Sequence, residues 1–117
     1  TLAMLTASLE GGPDAVVSFY GFPAGRQGWA KRPIDEVASL RVPLLLIVGD
    51  QDSGVGMDNM EAYEAALDAA NKDYESITYT GVGHAFMTFD PDAETYSQAS
   101  DAWTAALQFL DQQLANE

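Results

Sequence analysis

The chain is short, acidic and free of cysteine. Its 117 residues are 47% hydrophobic, and 18 acidic against 5 basic residues give a net charge of −13. The length suits one domain with a real core, but not a complete eight-stranded α/β sheet, because each strand-plus-crossover unit takes about 30 residues. The charge argues against nucleic acid and anionic membranes as partners. Without cysteine, disulfides and thiolate metal sites are excluded, and a reducing compartment, the cytoplasm, is expected.

The first third of the chain predicts a helix, a buried strand and a loop. Residues 15–20 are apolar and β-branched and read as the strand. The loop, residues 21–33, holds three of the five bases. We expect its Phe22 and Trp29 to pack down onto the domain, and the alternative is that they line a pocket. The helix ends at the Gly-Gly-Pro run of residues 11–13 and is indicated by leucines at helical spacing, Leu2, Leu5 and Leu9.

The remaining segments continue the alternation of helices and strands. Residues 42–48 (VPLLLIV) are apolar on both faces, as in a central parallel strand, and residues 75–80 alternate like a strand nearer an edge. Short helices are predicted over residues 33–40 and 58–70. A long final helix is predicted from an apolar stripe: Tyr96, Ala99, Trp103, Leu107, Leu110 and Leu114. The order predicts an α/β fold of three layers: a short parallel sheet of about three strands with right-handed crossovers and helices on both faces. No stretch of about 18 apolar residues predicts a membrane span, and no signal peptide is recognised.

An acid and then a histidine follow consecutive predicted strands. Asp50 and Asp52 lie just after residues 42–48, and His84, the only histidine, lies just after residues 75–80. Sites in open α/β sheets gather at the carboxyl ends of strands, and this chain order is that of the acid and base in a nucleophile–acid–histidine triad. The alternative is structural, since short acids also cap turns. No Gly-x-Ser-x-Gly or cysteine elbow precedes them, so the nucleophile of such a triad is absent from these residues.

The sequence contains no pattern that favours a metal or cofactor site. Asp50, Asp52 and Glu61 fall at calcium-loop positions 1, 3 and 12, but the position that needs glycine is Val55. A single histidine without cysteine disfavours zinc. No phosphate-binding glycine motif occurs. We therefore predict neither a metal nor an organic cofactor.

Four segments together resemble the C-terminal half of the dienelactone hydrolase family of α/β-hydrolases. They are DAVVSFYG (14–21), VPLLLIVGDQDSGV (42–55), TGVGHAF (80–86) and YSQASDAWTAALQFL (96–110). The resemblance spans nearly the whole chain, residues 1–117, as one domain. It maps the family's Gly-x-x-Asp onto Gly49 and Asp52, and its Gly-x-x-His-x-Phe onto Gly81, His84 and Phe86.

The resemblance implies that the chain is part of an ester or lactone hydrolase, with catalytic Asp52 and His84. It further implies that the family's cysteine or serine elbow would lie just before the first helix, and that both oxyanion-hole donors belong to segments outside this chain. The chain alone is therefore expected to be inactive. The family's arginine four residues after the histidine, which binds a substrate carboxylate, is replaced here by Thr88.

Two other interpretations stay open at this point. The chain could be a non-catalytic module that self-associates or binds a partner chain through the unpaired edge of the strand at residues 15–20. It could also be a small flavodoxin-like domain, although that fold has five strands and three are found. The first of these predicts a homo-oligomer or a covered edge.

Overall fold

The computed structural model describes residues 1–115. The domain predicted over residues 1–117 thus includes two residues outside the described range. The elements in chain order are helix α1 (Leu2–Thr6), strand β1 (Val16–Phe19), a 3₁₀ helix (Pro33–Ser39), strand β2 (Leu44–Gly49), helix α2 (Met57–Ala69), strand β3 (Tyr74–Tyr79) and helix α3 (Tyr96–Ala115).

The three strands form one parallel sheet in the order β1-β2-β3. The central strand β2 is buried along its whole length because successive side chains face two different helical layers. Leu44, Leu46 and Val48 pack in the layer formed by α1, the 3₁₀ helix and α2. Leu45 and Ile47 pack against α3 on the opposite face. The predicted three-layer α/β fold with a three-stranded parallel sheet is confirmed.

The first helix is shorter than predicted and presents a different face to the core. It ends at Thr6, and Thr6 Oγ1 donates a hydrogen bond to the carbonyl of Ala3. Met4 and Ala7 are buried, whereas Leu2 and Leu9 are exposed. The predicted leucine stripe was therefore wrong, because the turns after Thr6 take Leu9 off the helical spacing on which the stripe depended.

The final helix is found where it was predicted, but only part of its predicted apolar stripe faces the sheet: Ala99 is buried and Leu110 packs against the core, as predicted. The side chains that pack on the sheet are Ala99, Ala102, Ala106 and Phe109, while Trp103, Leu107 and Leu114 are exposed. Small alanine side chains let the helix backbone lie close to the sheet, so the large apolar residues turn outward. No helix within residues 1–115 is both long and apolar enough to cross a membrane.

One core residue makes the stability of this fold sensitive to alkaline pH. Tyr63 of α2 is almost fully buried in the core between β2 and the layer formed by α1, the 3₁₀ helix and α2. Burial raises the pKa of the Tyr63 hydroxyl to about 12, against an ordinary value of 10.0. The neutral form is favoured in the folded state, so this contribution to stability is intact below pH 10 and is lost as the pH rises toward 12.

We expect Tyr63→Phe to remove this pH dependence. Between pH 9 and pH 12 the free energy of unfolding of the unmodified chain should fall by about 2 kcal/mol more than that of the variant. Urea unfolding followed by far-ultraviolet circular dichroism measures both, and comparison at pH 7 provides the baseline. Parallel pH profiles for the two proteins would contradict the assignment.

Candidate active site

Three loops meet at the carboxyl edge of the sheet. They follow β1, β2 and β3, and the parallel register pairs Phe19 with Ile47 and Gly49 with Tyr79, so the strand ends lie side by side. Residues just after each strand are therefore brought together although they are far apart in the chain.

The loop after β2 holds Asp52 in a tight, buried turn. Asp52 is only 2% exposed. Its backbone N–H donates to the Gly49 carbonyl at 3.2 Å, and its own carbonyl accepts from the Gly56 N–H at 2.9 Å. The Val55 N–H donates to Asp52 Oδ1 at 2.9 Å. The turn thus fixes one carboxylate oxygen and leaves Oδ2 for another partner.

That partner is His84, from the loop after β3. Its Nδ1 lies 2.8 Å from Asp52 Oδ2. Asp50, the other acid considered from the sequence, contacts no ring nitrogen; its Oδ1 accepts the Gly81 N–H at 2.8 Å. The structure therefore brings Asp52 and His84 together, whereas Asp50 connects the two loops through its hydrogen bond with Gly81.

The contact defines the tautomer of the imidazole. A carboxylate only accepts hydrogen bonds, so in the neutral imidazole Nδ1 is the donor and Nε2 carries the lone pair. The imidazole side chain is 42% exposed, and among residues 1–115 Nε2 has no hydrogen-bond partner. This arrangement can take a proton from a nucleophile on its open side while the buried carboxylate stabilises the resulting imidazolium.

His84 opens onto a cavity of about 410 Å³. The walls are mostly aromatic and apolar, with two hydrophilic side chains besides the histidine: Thr1, Leu2, Ala3, Phe19, Tyr20, Phe22, Arg26, Trp29 and His84. The volume is within the usual range for small-molecule sites. Trp29 is 38% exposed and lines this cavity, as the alternative to packing onto the domain predicted, whereas Phe22 both lines the cavity and packs against the core.

Two residues beside His84 have strained backbones that sequence reasoning did not anticipate. Tyr20 has φ +42° and Ala85 has φ +58°, a region that favours glycine. The Tyr20 ring packs edge-on against His84 with 5.0 Å between centroids. Such conformations cost about 1–3 kcal/mol each and cluster at functional sites. The Phe-Tyr-Gly run was the only sequence signal for Tyr20.

Gly49 allows the two loops to approach each other. A Cβ added at this position would overlap the backbone carbonyl of Val82, which accepts the Gln51 N–H at 3.0 Å. Val82 lies two residues before His84. The absence of a side chain at Gly49 is therefore what sets the histidine loop against the acid loop.

Within the part of the chain that the structure describes, no three histidine, cysteine or acidic side chains cluster in a way that could hold a metal ion. The site is thus described by its aspartate, its imidazole and the cavity beside them.

A parallel sheet with helices on both faces, and an acid and a histidine in consecutive loops at its carboxyl edge, is the arrangement of an α/β-hydrolase. The sequence profile of the dienelactone hydrolase family matches residues 1–114. This chain therefore belongs to the dienelactone hydrolase family.

Individual relatives agree with this placement. A Salmonella typhimurium protein named "Putative carboxymethylenebutenolidase" is 31% identical over 100 residues, 84% of this chain and 37% of the relative. A Bradyrhizobium protein named "Probable 2-oxo-3-(5-oxofuran-2-ylidene)propanoate lactonase" is 31% identical over 97 residues, 80% of this chain and 39% of the relative. The chain thus spans well under half the length of these relatives.

A solved structure from Klebsiella pneumoniae, described as a "Putative Dienelactone Hydrolase", superposes with a TM-score of 0.84 at 28% sequence identity. The match covers 95% of this chain and 47% of that one. The described fold is therefore a partial α/β-hydrolase fold.

The pairing of Asp52 with His84 predicts the outcome of Asp52→Asn. The Val55 N–H requires an acceptor, so the amide oxygen of the variant should keep the Oδ1 position and its NH₂ group should face His84. The imidazole must then accept at Nδ1 and carry its proton on Nε2. Nitrogen-15 NMR of the neutral imidazole distinguishes the two tautomers, and His84, the only histidine, gives a single set of signals.

Asp50→Asn is the matched control, since it changes a neighbouring acid that does not contact His84. It should retain the Nδ1–H tautomer. The same tautomer in all three proteins would show that Asp52 does not orient the ring.

Gly49→Ala should separate the two loops. The added methyl group meets backbone that cannot rotate away, so we expect destabilisation of about 1–3 kcal/mol and loss of the Nδ1–H signature of His84. Gly83→Ala is the control, in the facing loop after β3, because its Cβ would lie 3.7 Å from the nearest heavy atom, Gln51 O, an ordinary contact. Urea unfolding and the same NMR measurement report both effects; equal behaviour of the two variants would contradict this role of Gly49.

Proposed function

We propose that this chain is the C-terminal, acid- and histidine-bearing half of an ester or lactone hydrolase, whose nucleophile belongs to residues outside these 117. The observation that carries the proposal is the 2.8 Å contact between His84 Nδ1 and the buried Asp52 carboxylate at the mouth of a small-molecule cavity. The family membership and the partial coverage of relatives support it.

The roles of the two residues follow from the geometry. Asp52 holds the imidazole with Nε2 exposed to the cavity. Nε2 takes the proton of a serine or cysteine as that group attacks the substrate carbonyl, and then returns it to the leaving alkoxide. Water next attacks the acyl-enzyme, with His84 again as base, and releases the acid.

The cavity supports a location for the missing nucleophile. Thr1, Leu2 and Ala3, at the start of α1, form one wall of the cavity that His84 lines. A residue shortly before Thr1 would therefore lie near the imidazole. In an α/β-hydrolase the nucleophile occupies a sharp turn between a strand and the following helix. If α1 is that helix, the turn would lie next to this wall of the cavity.

Lactones are the substrate class that we favour. The Bradyrhizobium relative carries the name of a lactonase, and a cavity of about 410 Å³ accommodates a small ring ester. The largely aromatic walls suit a compact, partly apolar molecule.

The free edge of β1 provides a place for the rest of such an enzyme. In the described sheet β1 pairs only with β2, and Val17 and Phe19 are half-buried at that edge. We propose that a strand from outside these residues pairs here. Self-association through the same edge is the alternative, and it would appear as dimers in analytical ultracentrifugation of this chain.

We expect the 117-residue chain to hydrolyse ethyl butyrate, an unactivated ester that a free imidazole does not attack, no faster than its His84→Ala variant, because the histidine has no nucleophile to activate. The decisive comparison is with a longer protein that also includes the residues encoded upstream of Thr1. An extended protein that contains an in-frame serine or cysteine elbow should hydrolyse the ester, and His84→Ala should then reduce the rate by about 10⁶-fold.

A rate of the short chain that depends on His84 would contradict the missing nucleophile. An extended chain without an elbow, or with activity indifferent to His84→Ala, would contradict the hydrolase proposal itself.

A further inference from the structure

The loop after β3 is attached to the rest of the domain at both of its ends. At its start, Gly81 and Val82 form hydrogen bonds with the loop after β2. At its far end, the Phe86 carbonyl accepts a hydrogen bond of 2.8 Å from the hydroxyl of Thr95, the residue directly before α3. His84 lies between these two attachments, so its position depends on α3 as well as on the loop after β2.

The bond from the Thr95 hydroxyl is not explained by helix capping. The Thr95 carbonyl accepts the Ala99 N–H at 2.9 Å, as expected of the residue at the start of a helix. A capping threonine stabilises the first turn by using its side-chain oxygen as an acceptor. The Thr95 hydroxyl is a donor, and its acceptor is the carbonyl of Phe86, nine residues earlier. The bond therefore joins α3 to the loop that carries the histidine.

A strained residue separates His84 from Phe86. Ala85 has φ +58°, a conformation that alanine keeps only where the surrounding structure fixes the chain on both sides. On one side, His84 Nδ1 lies 2.8 Å from the Asp52 carboxylate. On the other side, the buried ring of Phe86 packs against two tyrosine rings, and the hydroxyl of Thr95 fixes the direction of the Phe86 carbonyl.

We propose that Thr95 is a positioning residue for His84. Its hydrogen bond ties the end of the histidine loop to α3, keeps Ala85 in the left-handed region and so holds the imidazole against Asp52. Thr95 acts through Phe86 and takes no part in the chemistry itself. The inference rests on the proposed function in treating His84 as the base, but the geometry that it assigns is measurable without turnover.

Thr95→Val removes the donor and keeps the size and branching of the side chain. Without the bond, Ala85 is free to relax and the imidazole to leave Asp52, whereupon its ring exchanges between both tautomers. We expect the ratio of the Nδ1–H to the Nε2–H form to fall about five-fold, the effect of losing one ordinary hydrogen bond. Nitrogen-15 NMR of the neutral imidazole measures this ratio, and His84 is the only histidine of the chain.

Three further variants separate this role from a general effect on α3. Thr95→Asp keeps a capping acceptor but cannot donate, so the ratio should fall as it does in Thr95→Val. Thr95→Ser keeps the hydroxyl and should retain the ratio of the unmodified chain. Thr104→Val is the matched control, because the Thr104 hydroxyl donates to the Ser100 carbonyl of its own helix. Urea unfolding shows that each variant is folded under the conditions of the NMR measurement, and Thr95→Asp decides the matter if Thr95→Val does not fold.

The outcomes distinguish this inference from the proposed function. An unchanged ratio in Thr95→Val, a normal ratio in Thr95→Asp or an equal fall in Thr104→Val would overturn the role of Thr95, and the proposed hydrolase function would stand. An extended protein whose turnover is indifferent to His84→Ala would contradict that function, while the link between Thr95 and the imidazole would remain as measured. An unmodified chain without the Nδ1–H tautomer would overturn the pairing with Asp52 and the role of Thr95 with it.

Discussion

The pairing of β2 with β3 is the constraint on which the site depends. It places the end of one strand, Gly49, opposite the end of the other, Tyr79, so that the following loops leave the sheet side by side. The Gln51 N–H to Val82 carbonyl bond and the Asp50 carboxylate on the Gly81 N–H then join these loops directly. The contact between Asp52 and His84 follows from these two connections between the loops, and the rings of Tyr20 and Phe22, from the loop after β1, pack on the imidazole.

Sequence reasoning succeeded where a single pattern decided the structure. A seven-residue apolar run can only be satisfied between two covering layers, so β2 was recognisable, and a parallel sheet brings residues after consecutive strands to one edge. The choice between Asp50 and Asp52 was beyond such patterns, because both acids follow the same strand. Burial of Asp52 and the Val55 N–H that holds it are tertiary facts, and only the family resemblance had favoured that residue.

The errors concern which side chains of each helix face the core. Periodicity identified α1 and α3 as helices, but it placed Leu2 of α1 and Trp103, Leu107 and Leu114 of α3 inward, and these four are exposed. In α3 the sheet is contacted by Ala99, Ala102 and Ala106, whose small size allows close packing, while Trp103 packs edge-on against Phe89 at the surface. The left-handed backbone at Tyr20 and Ala85 was equally invisible, since neither residue type signals that conformation.

The distribution of the parts explains how a partial fold can hold the pair that we propose as base and orienting acid. Asp52 and His84 come from the loops after two adjacent strands, so their geometry is local to β2 and β3. The cavity beside them is shared more widely, because α1 and the loop after β1 supply its other walls. Chemistry at a carbonyl needs a nucleophile and hydrogen-bond donors for the oxyanion as well. Segments that supplied the nucleophile and these donors would adjoin the start of α1 and the unpaired edge of β1. The described residues therefore hold in place only the part of the site that follows their own strands.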